Sequence, residues 1–414
     1  MEDQSIFRVL RIRPFFFLWI SQAFSQIAFN MLNFVFVIQA YALTSSNTAV
    51  SVLILTFVLP QLIISFFAGA FVDRLEKKNV MLITNLLRAV CLIPLIFLQP
   101  NMILLYVLAF IISGTTQFFL PAEFSFIPTL VKKKYLLPAN SLFTGTLYGS
   151  IIIGFLLAGP SLKFFGKTST FLILAMLFVA AAVSNMMLPG GGLSGKAYLF
   201  AKGKSSSFLK ILFNDIGEVL YTMLRSKHIL LATIFLTISQ TVILTLGALM
   251  PGFAVTIVAI DIEDSSFILL APAAMGMIVG SFLVARLGQK IRKSRLVLPG
   301  VILSGLGLFV LPLFKWLSLG TTLIGVIGLM FLLGIFNAMV IIPSNIIIQE
   351  RAAAAIRGRI YGIFNGFSAF ISIIPVALAG YFSDVFGVGS VLTVLGIIIM
   401  LVGILPLFRG REDI

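Results

Sequence analysis

The sequence predicts an all-α membrane protein with twelve transmembrane helices in two pseudo-symmetric six-helix bundles. Of its 414 residues, 60% are apolar and only 10% are charged, and the mean hydropathy is +1.14. A soluble domain is about half apolar and a quarter charged. The apolar residues also form about twelve segments, each long enough to cross the hydrocarbon core, which takes about 20 residues. A long polar stretch separates the first six segments from the last six.

The positions of the predicted helices follow from these apolar segments. They lie near 15–41, 48–72, 79–98, 102–122, 138–162, 168–188, 229–255, 266–286, 296–316, 319–349, 360–382 and 388–408. Because Pro343 falls inside the tenth segment, we expect that helix to break or to end early. Residues 189–228 are predicted to be a cytoplasmic linker with a short amphipathic helix. This linker separates an N-terminal bundle, 1–188, from a C-terminal bundle, 229–414.

The basic residues predict how the chain is oriented in the cell membrane. Lys and Arg are retained on the cytoplasmic side of membrane proteins. If the N-terminus is cytoplasmic and the segments alternate, 25 of the 29 basic residues fall in cytoplasmic stretches. Both termini are therefore predicted to be cytoplasmic. The net charge of +15 is spread over these short loops rather than over one solvated face, so nucleic acid is not an expected partner.

The two halves of the sequence resemble each other. A shift of 221 positions without a gap aligns residues 143–166 with 364–387 at nine identical positions. The most informative matches are glycines, including Gly159 with Gly380, and the pair Phe165-Gly166 with Phe386-Gly387. The fifth predicted helix therefore corresponds to the eleventh, as a parallel repeat of six helices requires.

A charged loop lies between the second and third predicted helices. It reads Gly69-Ala70-Phe71-Val72-Asp73-Arg74-Leu75-Glu76-Lys77-Lys78. The spacing G-x-x-x-D-R-x-x-[KR]-[KR] resembles the signature loop of the major facilitator superfamily. Further matches are Asn85-Leu86-Leu87-Arg88-Ala89, Pro121-Ala122, Ile127-Pro128-Thr129-Leu130-Val131, Ala139-Asn140-Ser141-Leu142 and Arg357-Gly358-Arg359-Ile360-Tyr361-Gly362. Within the superfamily, the chain looks most like the branch of the macrolide-efflux proteins and the enterobactin exporter.

The resemblance implies a conformational latch at the cytoplasmic side. The residues concerned are Gly69, Asp73, Arg74, Lys77, Lys78, Arg357 and Arg359. Asp73 would lie at the N-terminus of the eleventh helix, where the helix dipole stabilises a carboxylate by about 0.3–1 kcal/mol. The alternative is an ordinary charged loop that follows the positive-inside rule. Gly154, Gly159 and Pro160 are similar to a glycine-proline motif of exporters, which suggests a hinge or a seal, although plain helix packing explains glycines equally well.

Arg88 and Glu123 are the candidate charges within the membrane. Arg88 lies some 13 Å into the third predicted helix at 1.5 Å per residue. A charge near mid-membrane costs about 2.5–3.5 kcal/mol, so Arg88 should face protein or water, with Glu123 as a possible partner. The alternative is an arginine that reaches lipid phosphate. Glu123, like Asp73, Glu350 and Asp384, is placed at a helix end, so no carboxylate is expected deep inside a helix.

Polar residues on one helical face predict a substrate cavity. Gln22, Gln26, Asn30 and Asn33 are spaced four, four and three apart on the first helix, which puts them on one stripe. Thr237 and Gln240 on the seventh helix, Asn337 on the tenth and Asn365 on the eleventh are further candidates. The alternative is that these groups hold helices together, as is common in membrane bundles.

The resemblance and these residues together predict a secondary transporter. It would export amphipathic small molecules, such as drugs or macrolides, by alternating access as a monomer, with protons as the coupling ion. Siderophore export, lysophospholipid movement and a non-transporting membrane sensor are the alternatives. The sequence holds one histidine, His228, and one cysteine, Cys91, so no enzyme, metal site or cofactor is expected.

Overall fold

A computed structural model describes residues 6–72, 75–190, 226–287, 294–351 and 357–408. Secondary structure in these ranges is entirely helical. A short helix, Ile6–Leu10, comes first. The long helices are α1 (Arg13–Thr44), α2 (Asn47–Val72), α3 (Lys77–Phe97), α4 (Met102–Leu130), α7 (Lys227–Phe253), α8 (Ala271–Leu287), α9 (Ser294–Val310), α10 (Leu319–Arg351), α11 (Arg357–Phe386) and α12 (Val388–Phe408). Helix α5/α6 (Leu136–Met186) bends at Gly166, and we label its limbs before and after Gly166 α5 and α6.

The predicted twelve-helix fold is confirmed. Eleven continuous helical stretches of the described chain are long and apolar enough to cross a membrane. One of them contains the bend at Gly166, where φ is +74° and ψ is 173°, so it supplies two crossings. Short π or 3-10 turns continue several helices, at Ala254–Val258 after α7, Ser266–Leu270 before α8 and Leu311–Trp316 after α9.

Two helices are longer or straighter than their sequences suggest. Helix α4 continues to Leu130 through Pro121 and Pro128, whereas the prediction ended near 122. Helix α10 runs unbroken through Pro343, so the expected break is wrong. Both results have the same cause. A proline removes one backbone hydrogen bond, but ending the helix inside the hydrocarbon core would leave several more groups without partners.

The chain divides into two compact units. Unit 1 comprises Met1–Leu43 and Thr56–Gly203, and unit 2 comprises Thr44–Leu55 and Lys204–Ile414. Helix α2 therefore begins in unit 2 and continues in unit 1. The predicted amphipathic helix of the linker lies outside the described residues.

The glycines of the two repeated Phe-Gly pairs both have positive φ. Gly166 has φ of +74° and Gly387 has φ of +84°, and they are the glycines of the described chain with positive φ. A left-handed conformation is accessible to glycine without steric cost. Each glycine follows the phenylalanine that ends a limb or helix, at α5 and at α11. The predicted equivalence of the fifth and eleventh helices thus extends to the turn that follows each of them.

Aromatic side chains pack the interior of unit 1. Phe15, Phe119 and Phe143 are fully buried, and the rings of Phe15 and Phe143 lie 5.6 Å apart. Large apolar side chains also cover the outside, such as Phe97 at 80% exposure. Lipid tails solvate such side chains as well as a protein interior does, so helix association relies on close packing and polar contacts. Those polar contacts define the candidate site.

Candidate functional site

Arg88 is the centre of a buried polar network in the described part of unit 1. Its side chain on α3 is fully buried. Nε donates to Thr115 Oγ1 at 3.0 Å, one terminal nitrogen donates to Ser25 Oγ at 2.8 Å and to Asn85 Oδ1 at 3.3 Å, and the other donates to Thr116 Oγ1 at 3.2 Å. Helices α1, α3 and α4 thus share one guanidinium. This meets the expectation that a membrane arginine faces protein rather than lipid.

The partners of Arg88 are oriented to accept rather than to donate. The hydroxyls of Thr115 and Thr116 donate to the carbonyl oxygen of Ile112, at 2.7 and 3.0 Å, which leaves their lone pairs for the guanidinium. Ser25 donates its proton to Asn85 Oδ1 at 2.8 Å. Three aromatic rings surround the cation, those of Phe119 at 4.9 Å, Phe178 at 5.7 Å and Phe29 at 5.9 Å from the guanidinium carbon. Their electron-rich faces stabilise a desolvated cation.

Glu123 lies inside helix α4, not at its end as predicted. The helix continues for seven residues beyond Glu123, to Leu130, and the side chain is fully buried. Glu123 and Arg88 interact electrostatically. However, neither carboxyl oxygen has a hydrogen-bond partner among the described residues, so the expected pairing with Arg88 is not a direct contact.

The basic pair of the signature loop binds backbone carbonyl groups within unit 1, in α4 and at the end of α6. Lys77 donates to the carbonyl oxygen of Ser125 at 3.3 Å, and Lys78 donates to those of Met186 at 2.9 Å and Leu188 at 2.6 Å. Met186 ends α6, and a cation at a helix C-terminus is favoured by the helix dipole. Lys78 thereby ties the start of α3 to the end of α6.

The contacts of the remaining latch residues lie outside the described part of the chain. Asp73 and Arg74 lie outside the described residues. Gly69 belongs to α2, and Arg357 and Arg359 open α11; their side-chain surroundings also lie outside the described part. The latch between Asp73 and α11 stays a prediction.

The amide stripe of α1 is mostly buried. Gln22, Gln26 and Asn30 are at most 9% exposed, and Asn33 is half-buried. Gln22 Nε2 donates to the carbonyl oxygen of Phe143 at 3.2 Å, while Asn30 and Asn33 donate to carbonyls one turn earlier, at 2.8 and 2.7 Å. Gln22 Oε1 and Gln26 Nε2 have no partner within the described ranges. A lining role for this stripe stays a prediction.

The candidates on the later helices have mixed surroundings in unit 2. Thr237 is buried and Gln240 is exposed on α7. Asn337 Nδ2 on α10 donates to Ser239 Oγ at 3.0 Å, which is a helix-to-helix contact. The side chain of Asn365 lies outside the described part of α11. Asn337 therefore holds helices together, and its Oδ1 still has no partner in the described chain.

Gly154 allows close approach of α5 and α1. A Cβ atom at Gly154 would lie 2.7 Å from Met31 N, 2.8 Å from Asn30 Cβ and 2.9 Å from the carbonyl oxygen of Ile27. Contacts this short are repulsive, so only glycine fits without a shift of one helix. Gly159 is also buried and Pro160 half-buried in the same limb. This geometry supports the packing alternative for Gly154; a hinge or seal stays a prediction.

Replacing Gly154 with alanine is expected to destabilise the protein by about 1–2 kcal/mol, because the added methyl group pushes α5 away from α1. The matched control is Gly149→Ala in the same limb, where a Cβ would meet nothing within 4 Å. Alanine there should be neutral or slightly stabilising, since it favours helix over glycine. The measurement is the thermal midpoint of each detergent-solubilised variant. Equal midpoints for the two variants would contradict the packing role.

Asp384, near the end of α11, caps the start of α2. Its carboxylate accepts from the backbone N–H groups of Asn47 at 2.8 Å and Thr48 at 3.0 Å. It also accepts from the Ser46 and Thr48 hydroxyls, both at 2.6 Å, and from Asn47 Nδ2 at 3.2 Å. A carboxylate at a helix N-terminus satisfies free N–H groups and complements the dipole. Ser46, Asn47 and Thr48 are typical helix-capping residues. Their contact with Asp384 was not predicted, because the sequence separation is at least 336 residues.

Comparison with known families decides the class of protein. The sequence profile of the Major Facilitator Superfamily matches residues 18–377. The chain belongs to this superfamily. Membership explains both the signature-like loop and the twelve-helix fold. This facilitator is a membrane transporter.

Curated relatives of this facilitator include several kinds of transporter. It is 25% identical over 385 residues to the MFS-type transporter YfiS of Bacillus subtilis, covering 91% of this chain and 88% of the relative. It is 25% identical over 304 residues to the lysophospholipid transporter LplT of Enterobacter sp., covering 72% and 71%. It is 23% identical over 381 residues to the multidrug efflux pump Tap of Mycolicibacterium fortuitum, covering 87% of each.

Solved structures agree with this facilitator in fold. A bacterial homologue of the lysosomal transporter Spinster matches with a TM-score of 0.72 at 11% identity, covering 95% of each chain. A mutant of the nucleoside transporter NupG matches with a TM-score of 0.70 at 13% identity, covering 96% of this chain and 100% of that one. At such identities the similarity concerns the fold.

Proposed function

We propose that this facilitator exports amphipathic small molecules, of the drug or macrolide type, by alternating access in exchange for protons. The proposed working unit is one chain in the cell membrane with both termini in the cytoplasm. The similarity to the efflux pump Tap along 87% of both chains supports the substrate class.

One observation carries the proposal. The buried stripe of α1 offers neutral amides beside aromatic rings and carries no charge of its own. After Arg13, helix α1 contains no charged residue. Buried polar atoms normally have a partner, so the free atoms of Gln22 and Gln26 call for water or the polar groups of a ligand. Phe29 on the same helix packs edge-on against Phe57, with ring centroids 6.4 Å apart. A few fixed polar groups among aromatic surfaces suit a small amphipathic ligand.

In this proposal the signature loop holds the cytoplasmic side closed in one state of the transport cycle. Asp73 would bind the N-terminus of α11 near Arg357 and Arg359. The contacts of Lys77 and Lys78 with the carbonyls of unit 1 support a fixed position for the start of α3. If the loop is held in one position, Asp73 can bind the N-terminus of α11 without first being ordered.

Cells that express the protein are expected to accumulate less of at least one compound from a panel of macrolides, other amphipathic drugs and lysophosphatidylethanolamine. A protonophore should abolish the difference. The variant Asp73→Asn should lose export while its amount in the membrane stays the same. The matched control is Glu76→Gln in the same loop, because Glu76 accepts from Asn79 in the first turn of α3 and should be dispensable for export.

Each outcome of this assay is informative. Failure to move any compound would contradict export and would favour a membrane sensor. Export that ignores the protonophore would contradict proton exchange. Full export by Asp73→Asn would contradict the latch.

Lysophospholipid movement is the second candidate function. It is favoured by the similarity to lysophospholipid transporters from several bacteria, including those of Enterobacter and Photorhabdus. A lysophospholipid is amphipathic, so the α1 stripe suits it as well. Movement of lysophosphatidylethanolamine across the membrane without export of the drugs in the same panel would favour this candidate over the first.

A further inference from the structure

Glu123 is a buried carboxyl group that the export proposal does not use. It is 0% exposed within α4, and both of its oxygens lack a hydrogen-bond partner among the described residues. An ionised carboxylate in such a place would lose its hydration and gain no hydrogen bond in return. That penalty is large, and buried acids usually avoid it by binding a proton.

The charged groups around Glu123 are few. Arg88 on α3 is the charge that acts on it electrostatically. Lys77, also on α3, donates to the carbonyl oxygen of Ser125, two residues further along α4. The other titratable group near Arg88 on α3 is the buried thiol of Cys91. Neither α1 after Arg13 nor α6 after Lys167 contains a charged residue, so these helices contribute neutral groups.

Arg88 acts electrostatically on Glu123, but its hydrogen bonds go to other groups. The ring of Phe119 lies 4.9 Å from the guanidinium carbon, and Glu123 is one helical turn beyond Phe119 on α4. All four hydrogen bonds of the guanidinium go to neutral oxygens on Ser25, Asn85, Thr115 and Thr116. A carboxylate is a stronger acceptor than any of these groups. An ionised Glu123 would therefore compete with them for Arg88.

We propose that Glu123 is a proton-binding site inside unit 1, with Arg88 as its exchangeable partner. In this proposal Glu123 is neutral in the described arrangement, in which Arg88 is held by hydroxyl and amide oxygens. When the proton leaves, the carboxylate takes the guanidinium from those oxygens. Because the oxygens belong to α1, α3 and α4, loss of the proton changes the contacts among three helices.

One partnerless buried atom on a residue of the Arg88 network, and others elsewhere in unit 1, are consistent with such a change. Asn85 Nδ2, which is not used in the Arg88 network, is buried without a partner in the described chain, as are Ser21 Oγ on α1 and both amide atoms of Asn185 on α6. Their presence means that alternative hydrogen bonds are available when the network rearranges.

Infrared difference spectroscopy of the purified protein in detergent is the direct test, because a neutral carboxylic acid has a carbonyl band that a carboxylate lacks. We expect an acid band that disappears as the pH rises from mildly acidic to mildly alkaline. Glu123→Gln should remove this band, since glutamine keeps the shape of the neutral acid and the fold. Asp384→Asn is the matched control, because Asp384 is an exposed carboxylate with five hydrogen bonds, and the band should remain.

Arg88 supplies the second part of the test. In Arg88→Gln the partner for the ionised form is gone, so the acid band should persist to higher pH than in the native protein. Labelling by a hydrophobic carbodiimide, which reacts with neutral buried carboxyls, should follow the same pattern in the peptide that contains Glu123. An acid band that is absent at every pH, or one that Glu123→Gln leaves in place, would overturn the proposal.

A role of this site in transport rests additionally on the proposed export function. If export is coupled to Glu123, the variant Glu123→Gln should keep downhill movement of the exported compound but lose the response to the protonophore. Absence of export in the native protein would defeat the proposed function and leave the infrared result standing. Protonophore-sensitive export by Glu123→Gln, together with an intact acid band in the native protein, would place the coupling at another group and overturn the transport role.

Discussion

Replacing Arg88 with alanine is expected to cause the largest loss of stability among the described side chains, about 3–5 kcal/mol. The guanidinium makes four hydrogen bonds and contacts three aromatic rings. Hydrogen bonds to a charged group contribute more than neutral ones, and the oxygens left behind remain buried without that donor. The substitution also leaves a cavity among Phe29, Phe119 and Phe178.

The measurement for Arg88→Ala is the thermal midpoint of the detergent-solubilised protein. A unit of this size should lose about 6 °C or more. Arg11→Ala is the control, because Arg11 is an exposed basic residue of the same unit and should leave the midpoint unchanged. The thermal midpoint of Arg88→Lys should lie between those of Arg88→Ala and Arg11→Ala. An ammonium group keeps the charge but lacks the planar guanidinium that reaches oxygens on three helices. A midpoint for Arg88→Ala that equals that of Arg11→Ala would show that the network contributes little.

The second large effect is expected at Asp384. Asp384→Ala should destabilise unit 2 by about 2–3 kcal/mol, because α2 loses its cap and the buried side chain of Asn47 loses an acceptor. Asp384→Asn should cost less, since the amide oxygen still accepts from one or two donors. Raising the salt concentration should reduce the difference in stability between Asp384→Asn and the native protein, because part of that difference is electrostatic.

Ser390→Ala is the control for Asp384. Ser390 lies six residues further along and is exposed. Its hydroxyl donates to the carbonyl oxygen of Phe386, four residues earlier, at 2.9 Å. Its thermal midpoint should match that of the native protein. If Asp384→Ala also melts at the native temperature, the cap is not a source of stability.

The helices could be predicted from the sequence because the bilayer imposes their length. Their ends were harder to predict where proline was present. The predicted end of α4 near Pro121 placed Glu123 at the membrane surface, whereas the helix continues to Leu130 and buries that residue. Proline is a helix-ending signal in water, but in lipid the backbone hydrogen bonds of the next turns outweigh the single bond that it removes.

The polar contacts could be predicted only in part. Burial of Arg88 followed from the cost of a charge in lipid. Of its four partners, however, only Asn85 is local, and the other three lie 27 to 63 residues away on α1 and α4. Such contacts depend on the rotation of each helix about its own axis. When the helix is apolar on every face, its sequence does not determine that rotation. The same holds for Asp384, whose acceptor role needs a helix start from the other end of the chain.

The Asp384 cap also has a consequence for biosynthesis. The residues that it joins are separated by 336 to 338 positions, so the start of α2 leaves the ribosome long before Asp384 is made. At about 5–20 residues per second, the interval is roughly 20 to 70 seconds. Throughout that time the first N–H groups of α2 must be satisfied by water, lipid headgroups or an insertion factor. Closure of this helix end is therefore among the last steps of assembly, and a chain truncated before residue 384 would insert its first helices but leave the Asn47 and Thr48 N–H groups without this acceptor.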